Sequence, residues 1–122
     1  MPLPKAKRDR VHQVTNWLRS AHPAPYPADV RVIRIPQEDA INTLGDCVLY
    51  RRKFMIRISP AANWVNMIDT LLHEWAHALA WPRSSEAHRH PDHSDEWALS
   101  YGRLFRSFHE EDGAEDSQNY PW

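Results

Sequence analysis

Three polar residues, His73, Glu74 and His77, interrupt an otherwise apolar stretch, LLHEWAHALAW, that spans residues 71–81. Such a stretch is typical of a buried helix, in which an unpaired imidazole or carboxylate is costly. Histidines four residues apart lie on one face of a helix, so both imidazoles can reach one metal ion. Zinc accepts neutral imidazole nitrogen. The HExxH pattern therefore predicts one zinc ion per chain, with His73 and His77 as ligands.

Glu74 lies beside the first predicted ligand and is not itself expected to bind the metal. Zinc lowers the pKa of a bound water to about 7, so a carboxylate base suffices to activate it. We therefore expect a hydrolase in which Glu74 is the general base for a metal-bound water. The alternative is a core helix whose two histidines are hydrogen-bonded to neighbours, but that alternative leaves Glu74 unexplained.

A catalytic zinc site needs a third protein ligand and one position open to water. The polar stretch after the helix offers Glu86, His88, His90, Asp92, His93 and Asp95. Spacing favours His93, because it lies where the polar loop meets the next helix and can be held rigidly there. His88 and His90 have alanine, arginine and proline as neighbours, which favours solvated loop positions.

The chain before this helix predicts one helix and three strands. Apolar residues recur at helical spacing in the first segment and alternate with polar residues in the later ones. The expected elements are a helix over residues 5–21 and strands over residues 30–35, 46–51 and 54–59, with a short turn around Arg52. Gly45 is expected to bend the chain before the second strand.

Two further helices complete a predicted α+β domain that spans residues 1–122. Ser59 and Pro60 signal the start of a long helix over about residues 61–81, and Pro82 ends it. The last helix starts near residues 92–94. Its predicted buried face consists of Trp97, Tyr101, Leu104, Phe105 and Phe108. Beyond it we expect a flexible acidic tail over about residues 110–122.

Charge is distributed unevenly along the chain. Residues 1–60 contain 11 Lys and Arg against 5 Asp and Glu, whereas residues 61–122 contain 4 against 11. Alternation on the sheet can bring several basic residues to one face, which would suit nucleic-acid phosphates. The candidates are Arg31, Arg34, Arg51, Arg52, Lys53 and Arg57. The alternative is an ordinary exposed sheet face.

Composition narrows the class of protein further. Cys47 is the only cysteine, which excludes an internal disulfide and a cysteine-based zinc site. No apolar run approaches the roughly 18 residues that a membrane span needs, and MPLPKAKRDR lacks the apolar core of a secretory signal. We therefore expect a cytoplasmic protein without membrane association, and we favour a monomer.

The segment HSDEW, fifteen residues after HExxH, carries a family resemblance. HExxH followed by HSDEW resembles the SprT-like metallopeptidases, in which a His-Gly-x-x-(Phe/Trp) segment opens the helix after the motif. His93 and Trp97 match the histidine and the aromatic residue of that segment, whereas Ser94 replaces its usual glycine. Gly45 and Asn63 are also similar, and the resemblance covers residues 5–109.

The resemblance implies a small α+β fold: a helix, a three-stranded sheet, and two helices that carry the HExxH...H zinc site. It implies His73, His77 and His93 as zinc ligands and Glu74 as general base. The expected function is peptide hydrolysis on a protein or peptide substrate, with DNA-associated proteins as one class. Larger members carry a zinc ribbon or ubiquitin- and DNA-binding extensions that this sequence lacks, which indicates a minimal catalytic domain.

Two other functions remain open at the level of sequence. One is a zinc-containing DNA-binding or interaction module without proteolytic activity. The other is a different zinc hydrolase, such as an amidase acting on cell-wall peptide, which would predict export. Within the peptidase hypothesis, Tyr101, His88 and His90 are alternative donors to the oxyanion, and the sequence does not choose between them.

Overall fold

The computed structural model describes residues 5–35, 44–60, 64–82 and 94–113 of the 122-residue chain. Its architecture is α+β, as the sequence predicts. The elements are α1 (Lys5–Ala21), β1 (Ala28–Val32), β2 (Gly45–Tyr50), β3 (Lys53–Ile58), α2 (Trp64–Leu79), α3 (Asp95–Ser107) and a π-helical turn (Phe108–Gly113). Within these ranges, no helix is long and apolar enough to cross a membrane.

The three strands form one sheet with β3 in the centre, in the order β1–β3–β2. β1 runs parallel to β3, and β2 runs antiparallel to it. Alternate residues of a strand point to opposite faces of the sheet. The inner face of β3 is buried in the core and consists of Phe54, Ile56 and Ile58. The outer face of β3 carries Lys53, Met55 and Arg57.

The strand boundaries differ from the predicted ones by one to three residues. The hairpin turn between β2 and β3 consists of Arg51 and Arg52, with φ angles of 51° and 61°. A two-residue turn of this kind needs positive φ at both positions, which asparagine and glycine supply easily. Because arginine gives no such signal, the sequence pattern predicts both strands one residue too late.

His22, directly after α1, joins three helices. Nε1 of Trp75 in α2 donates a hydrogen bond to the carbonyl oxygen of His22 at 2.8 Å. The imidazole Nε2 of His22 lies 3.0 Å from Oγ of Ser107, at the end of α3. The same imidazole packs edge-on against Trp17 of α1, with ring centroids 5.3 Å apart. These contacts fix α2 against both of the other helices.

The predicted buried face of α3 is confirmed in part. Leu104 is fully buried and Phe108 is 4% exposed, whereas Phe105 is 46% exposed, so the prediction is wrong for Phe105. Consecutive helical residues are rotated by about 100°. Phe105 therefore turns toward solvent when Leu104 faces the core.

Helical geometry continues to Gly113, four residues into the stretch for which the sequence predicts a tail.

Candidate metal centre

His73, Glu74 and His77 lie in the C-terminal half of α2 and form a cluster that suits a metal ion. Each residue offers one potential ligand atom, and these atoms lie within 4.8 Å of one another. The two imidazole centroids are 5.1 Å apart. Glu74 is 7% exposed and His77 8%, and His73 is half-buried. The predicted helical placement of these three residues is confirmed.

Gly45 lets β2 approach α2 beside this cluster. A Cβ atom at Gly45 would lie 2.4 Å from Cγ2 of Thr70 and 2.9 Å from the carbonyl oxygen of Arg57, and Cγ of Glu74 would be 3.5 Å away. The sequence predicts Gly45 as a bend, whereas the structure places it at the start of β2. Its missing side chain therefore sets the distance between the sheet and the helix that carries Glu74.

Trp97 of α3 packs on both histidines. Its ring stacks on His77 with centroids 5.4 Å apart and lies edge-on to His73 at 4.9 Å. The indole Nε1 donates a hydrogen bond to the carbonyl oxygen of His73 at 3.2 Å. Ser94 caps α3 by accepting a hydrogen bond from the backbone N–H of Trp97. Trp97 thereby restricts the rotation of both imidazoles.

Tyr101, one of the predicted oxyanion donors, is engaged by a residue that the sequence analysis missed. Its hydroxyl donates a hydrogen bond to the carboxylate of Asp69, and its ring stacks on Trp97 at 5.3 Å. Partial burial and the neighbouring Asp69 raise the pKa of Tyr101 above its usual range. Asp69 precedes His73 by four residues, so helical spacing alone places it on the face of the motif.

Glu74 is buried close to a second carboxylate, that of Asp46. Burial and the negative charge of Asp46 raise the pKa of Glu74 to about 8. Asp46 is itself held by Arg57, whose Nε donates to Oδ1 at 2.9 Å and whose Nη2 donates to Oδ2. In the absence of a metal ion, this raised pKa favours the protonated form of Glu74 at neutral pH. Burial likewise raises the pKa of the Cys47 thiol.

The third predicted ligand, His93, lies outside the described residues. The same is true of four of the alternative candidates, Glu86, His88, His90 and Asp92. Asp95 is described: it is exposed in the first turn of α3 and does not belong to the cluster of His73, Glu74 and His77. Two imidazoles at one-turn spacing beside a carboxylate are a donor set that fits zinc.

The six predicted nucleic-acid residues occupy three places in the structure. Arg31, Lys53 and Arg57 lie on the outer face of the sheet, with Arg31 opposite Arg57 in the β1–β3 register. Two of these three are paired: Lys53 Nζ lies 2.8 Å from Asp29, and Arg57 is bound to Asp46. Arg51 and Arg52 form the exposed hairpin turn, and Arg34 is exposed beyond the end of β1.

Comparison of the chain with protein-family models, curated proteins and solved structures gives no match.

Proposed function

We propose that this chain is a zinc-dependent metallopeptidase. The observation that supports this most directly is the cluster of His73, Glu74 and His77, whose ligand atoms lie within 4.8 Å on one turn of α2. A helix built only for packing has no need of a carboxylate that is 7% exposed. The HSDEW segment, which resembles that of the SprT-like peptidases, supplies His93 as the third ligand in this proposal.

In the proposed site, each side chain has a separate role. His73, His77 and His93 would hold zinc, which supplies an activated water at neutral pH and polarises the scissile carbonyl. Glu74 removes the proton of the attacking water and delivers it to the leaving amine. Trp97 holds the two described imidazoles in place through its stacking and its hydrogen bond to His73.

The proposal is tested by Glu74→Gln in the full chain, with unfolded casein as a general protein substrate. We expect zinc to remain bound at about one ion per chain, and cleavage to fall by at least about a hundredfold, the lower range for loss of a general base. Glu96→Gln, an exposed glutamate of α3, is the matched control. Retained cleavage in Glu74→Gln removes Glu74 from the role of base.

Wild-type protein that binds zinc and cleaves no substrate would instead favour an interaction module. His77→Ala tests the metal site itself, because it should abolish both zinc binding and cleavage. Zinc that stays bound in His77→Ala would place the metal elsewhere in the chain. Metal content and cleavage are measured on the same preparations, so a loss of zinc binding is distinguished from a loss of catalysis.

A second candidate function, nucleic-acid contact, is favoured by the hairpin turn. Arg51 and Arg52 are exposed there, and the guanidinium of Arg51 lies 5.2 Å from the ring centroid of Tyr50. Tyr50 is 57% exposed. Neighbouring cations and an exposed aromatic ring suit a single-stranded backbone and its bases. Within the peptidase proposal, this turn would direct the enzyme to DNA-associated proteins.

Binding of a single-stranded oligonucleotide tests this second function. The variant R51Q/R52Q should weaken binding and lower the magnitude of the salt slope by about 0.7 for each phosphate that an arginine no longer neutralises. The matched control R103Q/R106Q removes two exposed arginines of α3 and should bind as the wild type does. Absence of binding at low salt removes the nucleic-acid function and leaves the peptidase proposal intact.

The proposal also includes an intracellular location and a monomeric chain. Cys47 is a buried free thiol, which is compatible with a reducing compartment. Sedimentation of the purified chain measures its oligomeric state directly, and cell fractionation measures its location.

A further inference from the structure

A pocket of about 470 Å³ lies between the end of α1 and the start of β1. Residues 23–29 form most of its lining, and Arg19 of α1 and Trp75 of α2 complete it. The structure describes every residue of this lining. Pockets that bind small molecules typically measure about 300–1,000 Å³. This pocket therefore has the size of a small-molecule site.

The pocket lies on the other side of α2 from the metal centre. Trp75 follows His73 by two residues, which is a rotation of about 200° around the helix axis. Trp75 is 1% exposed and belongs to the core, so its indole contributes the inner wall of the pocket. A ligand in this pocket would contact α2 on a face that carries neither imidazole of the metal centre.

The loop that forms the pocket is held at both ends. Nε1 of Trp75 donates a hydrogen bond to the carbonyl oxygen of His22, just before the loop, at 2.8 Å. The N–H of Phe54 donates to the carbonyl oxygen of Pro27, at the end of the loop, also at 2.8 Å. Three of residues 23–27 are prolines, which fix φ. The walls are therefore in place before a ligand arrives, which lowers the entropic cost of binding.

The walls are mainly apolar. Proline rings and alanine methyl groups make up most of residues 23–28, and the ring of Tyr26 lies among them. That ring packs against Phe54, with ring centroids 5.9 Å apart. Because proline has no N–H, this stretch offers few backbone donors to a ligand. The lining therefore suits a ligand with an apolar body.

Arg19 supplies the charge that selects the ligand. Within the described ranges, its exposed guanidinium donates to two neutral oxygens, Oδ1 of Asn16 at 3.3 Å and the carbonyl oxygen of Ala28 at 2.8 Å. A guanidinium has five N–H donors, so most of them remain. Asp29, the acidic residue of the lining, is paired with Nζ of Lys53 at 2.8 Å. Arg19 is therefore available to an anion, and its planar donor group suits a carboxylate.

We propose that this pocket binds a small carboxylate with an apolar body, held by Arg19 at its charged end and by Tyr26 and Trp75 along its body. In the part of the chain that the structure describes, the Tyr26 hydroxyl has no hydrogen-bond partner, so it offers a second donor. A free carboxylic acid and the C-terminus of a peptide with an apolar last residue share this chemistry. The inference does not depend on the proposed peptidase function, because no metal ligand takes part.

Titration of the full chain with 3-phenylpropionate, followed residue by residue by NMR, tests the proposal. We expect a Kd in the millimolar range, as for other ligands of this size. The amide signals of Ala24, Tyr26 and Asp29 should shift, together with the indole N–H of Trp75. The indole N–H of Trp97, which is bonded at the metal centre, is the internal reference and should not shift. Shifts at Trp97 in place of Trp75 would put the carboxylate at the metal centre and overturn the proposal.

The neutral analogue 3-phenylpropanamide separates the contribution of charge from that of shape. It should bind wild type about fivefold more weakly than the acid, the upper range for the loss of an exposed ion pair. Equal affinities for the acid and the amide overturn the proposal. This comparison uses the unmodified chain, so it does not depend on how well any variant folds.

Substitutions then assign the acid preference to its residues. R19Q should abolish the preference by losing affinity for the acid alone. R8Q, a matched exposed arginine of α1 outside the pocket, should keep it. Y26F should weaken binding of the acid about threefold, through the loss of one hydrogen bond. An acid preference that survives in R19Q overturns the proposal, and unchanged affinity in Y26F removes Tyr26 as a donor.

The peptide Ac-Ala-Ala-Phe, with a free or an amidated C-terminus, distinguishes the two sources of the carboxylate. Tighter binding of the free-acid peptide than of 3-phenylpropionate assigns the pocket to a peptide C-terminus. Exclusion of the peptide, with 3-phenylpropionate still bound, assigns it to a free carboxylic acid. Absence of shifts with both probes at about 10 mM overturns the proposal.

Discussion

Replacement of Glu74 by glutamine should stabilise the metal-free protein, and the gain should depend on pH. The pKa of Glu74 is raised from its usual 4.5 to about 8 by burial and by Asp46. Between pH 4.5 and about pH 8, the folded protein holds a proton at Glu74 that the unfolded chain releases. The unfolded state binds fewer protons, so the free energy of unfolding falls as pH rises from 4.5 toward 8.

The magnitude follows from the size of this interval. Each pH unit is worth about 1.4 kcal/mol, so the penalty at pH 7 reaches about 3 kcal/mol relative to pH 4.5. Glutamine resembles the protonated carboxyl group in shape but does not titrate. We therefore expect Glu74→Gln and wild type to be similarly stable near pH 4.5, and the variant to be more stable by about 3 kcal/mol at pH 7.

Urea denaturation in the presence of a chelator, followed by tryptophan fluorescence, measures this difference across the pH range. Groups that titrate alike in both proteins cancel when the two curves are subtracted. Glu96→Gln, at an exposed position of α3, should show no such divergence. Two curves that stay parallel from pH 4.5 to pH 7 would refute the reasoning. Added zinc should shrink the difference, because a nearby cation favours the ionised carboxylate.

Three further predictions concern Gly45, the hairpin turn and Tyr101. Gly45→Ala should lower the free energy of unfolding by about 1–3 kcal/mol through overpacking against Thr70, whereas Gly102→Ala, which has open space at Cβ, should raise it by about 0.5–1 kcal/mol. Urea denaturation midpoints compare the two variants, and equal effects would contradict the close contact at Gly45. R51N/R52G should stabilise the protein by about 1–2 kcal/mol, because both turn positions have positive φ, which asparagine and glycine adopt more easily than arginine. The melting temperature measures this effect, and a lower value in the variant would argue against strain in the turn. Tyr101→Phe should reduce kcat for casein cleavage by no more than about threefold, since the Tyr101 hydroxyl is hydrogen-bonded to Asp69. A loss of about a hundredfold would restore Tyr101 as an oxyanion donor.

The sequence predicts the order and type of the elements well, because hydrophobic period and proline positions are local signals. It does not predict the extent of the hairpin, since the pairing of Tyr50 with Lys53 closes a turn in which Arg51 and Arg52 have positive φ, a conformation that arginine does not signal. The helical placement of His73, Glu74 and His77 follows from spacing alone. The pairing of Tyr101 with Asp69 does not, because two helices must first pack before those side chains meet. Gly45 is similar: its role depends on a contact with α2 that no local pattern encodes.

The junction at His22 bears on how the site would respond to a metal ion. Trp75 directly follows Glu74, and its indole is bonded to the backbone of His22, which is followed by prolines at 23, 25 and 27. Proline fixes φ, so this anchor has little freedom to move. Rotation of α2 about its own axis would break the bond. In the proposed metal site, His73 and His77 would therefore be preorganised, and an ion would bind them with little loss of conformational entropy.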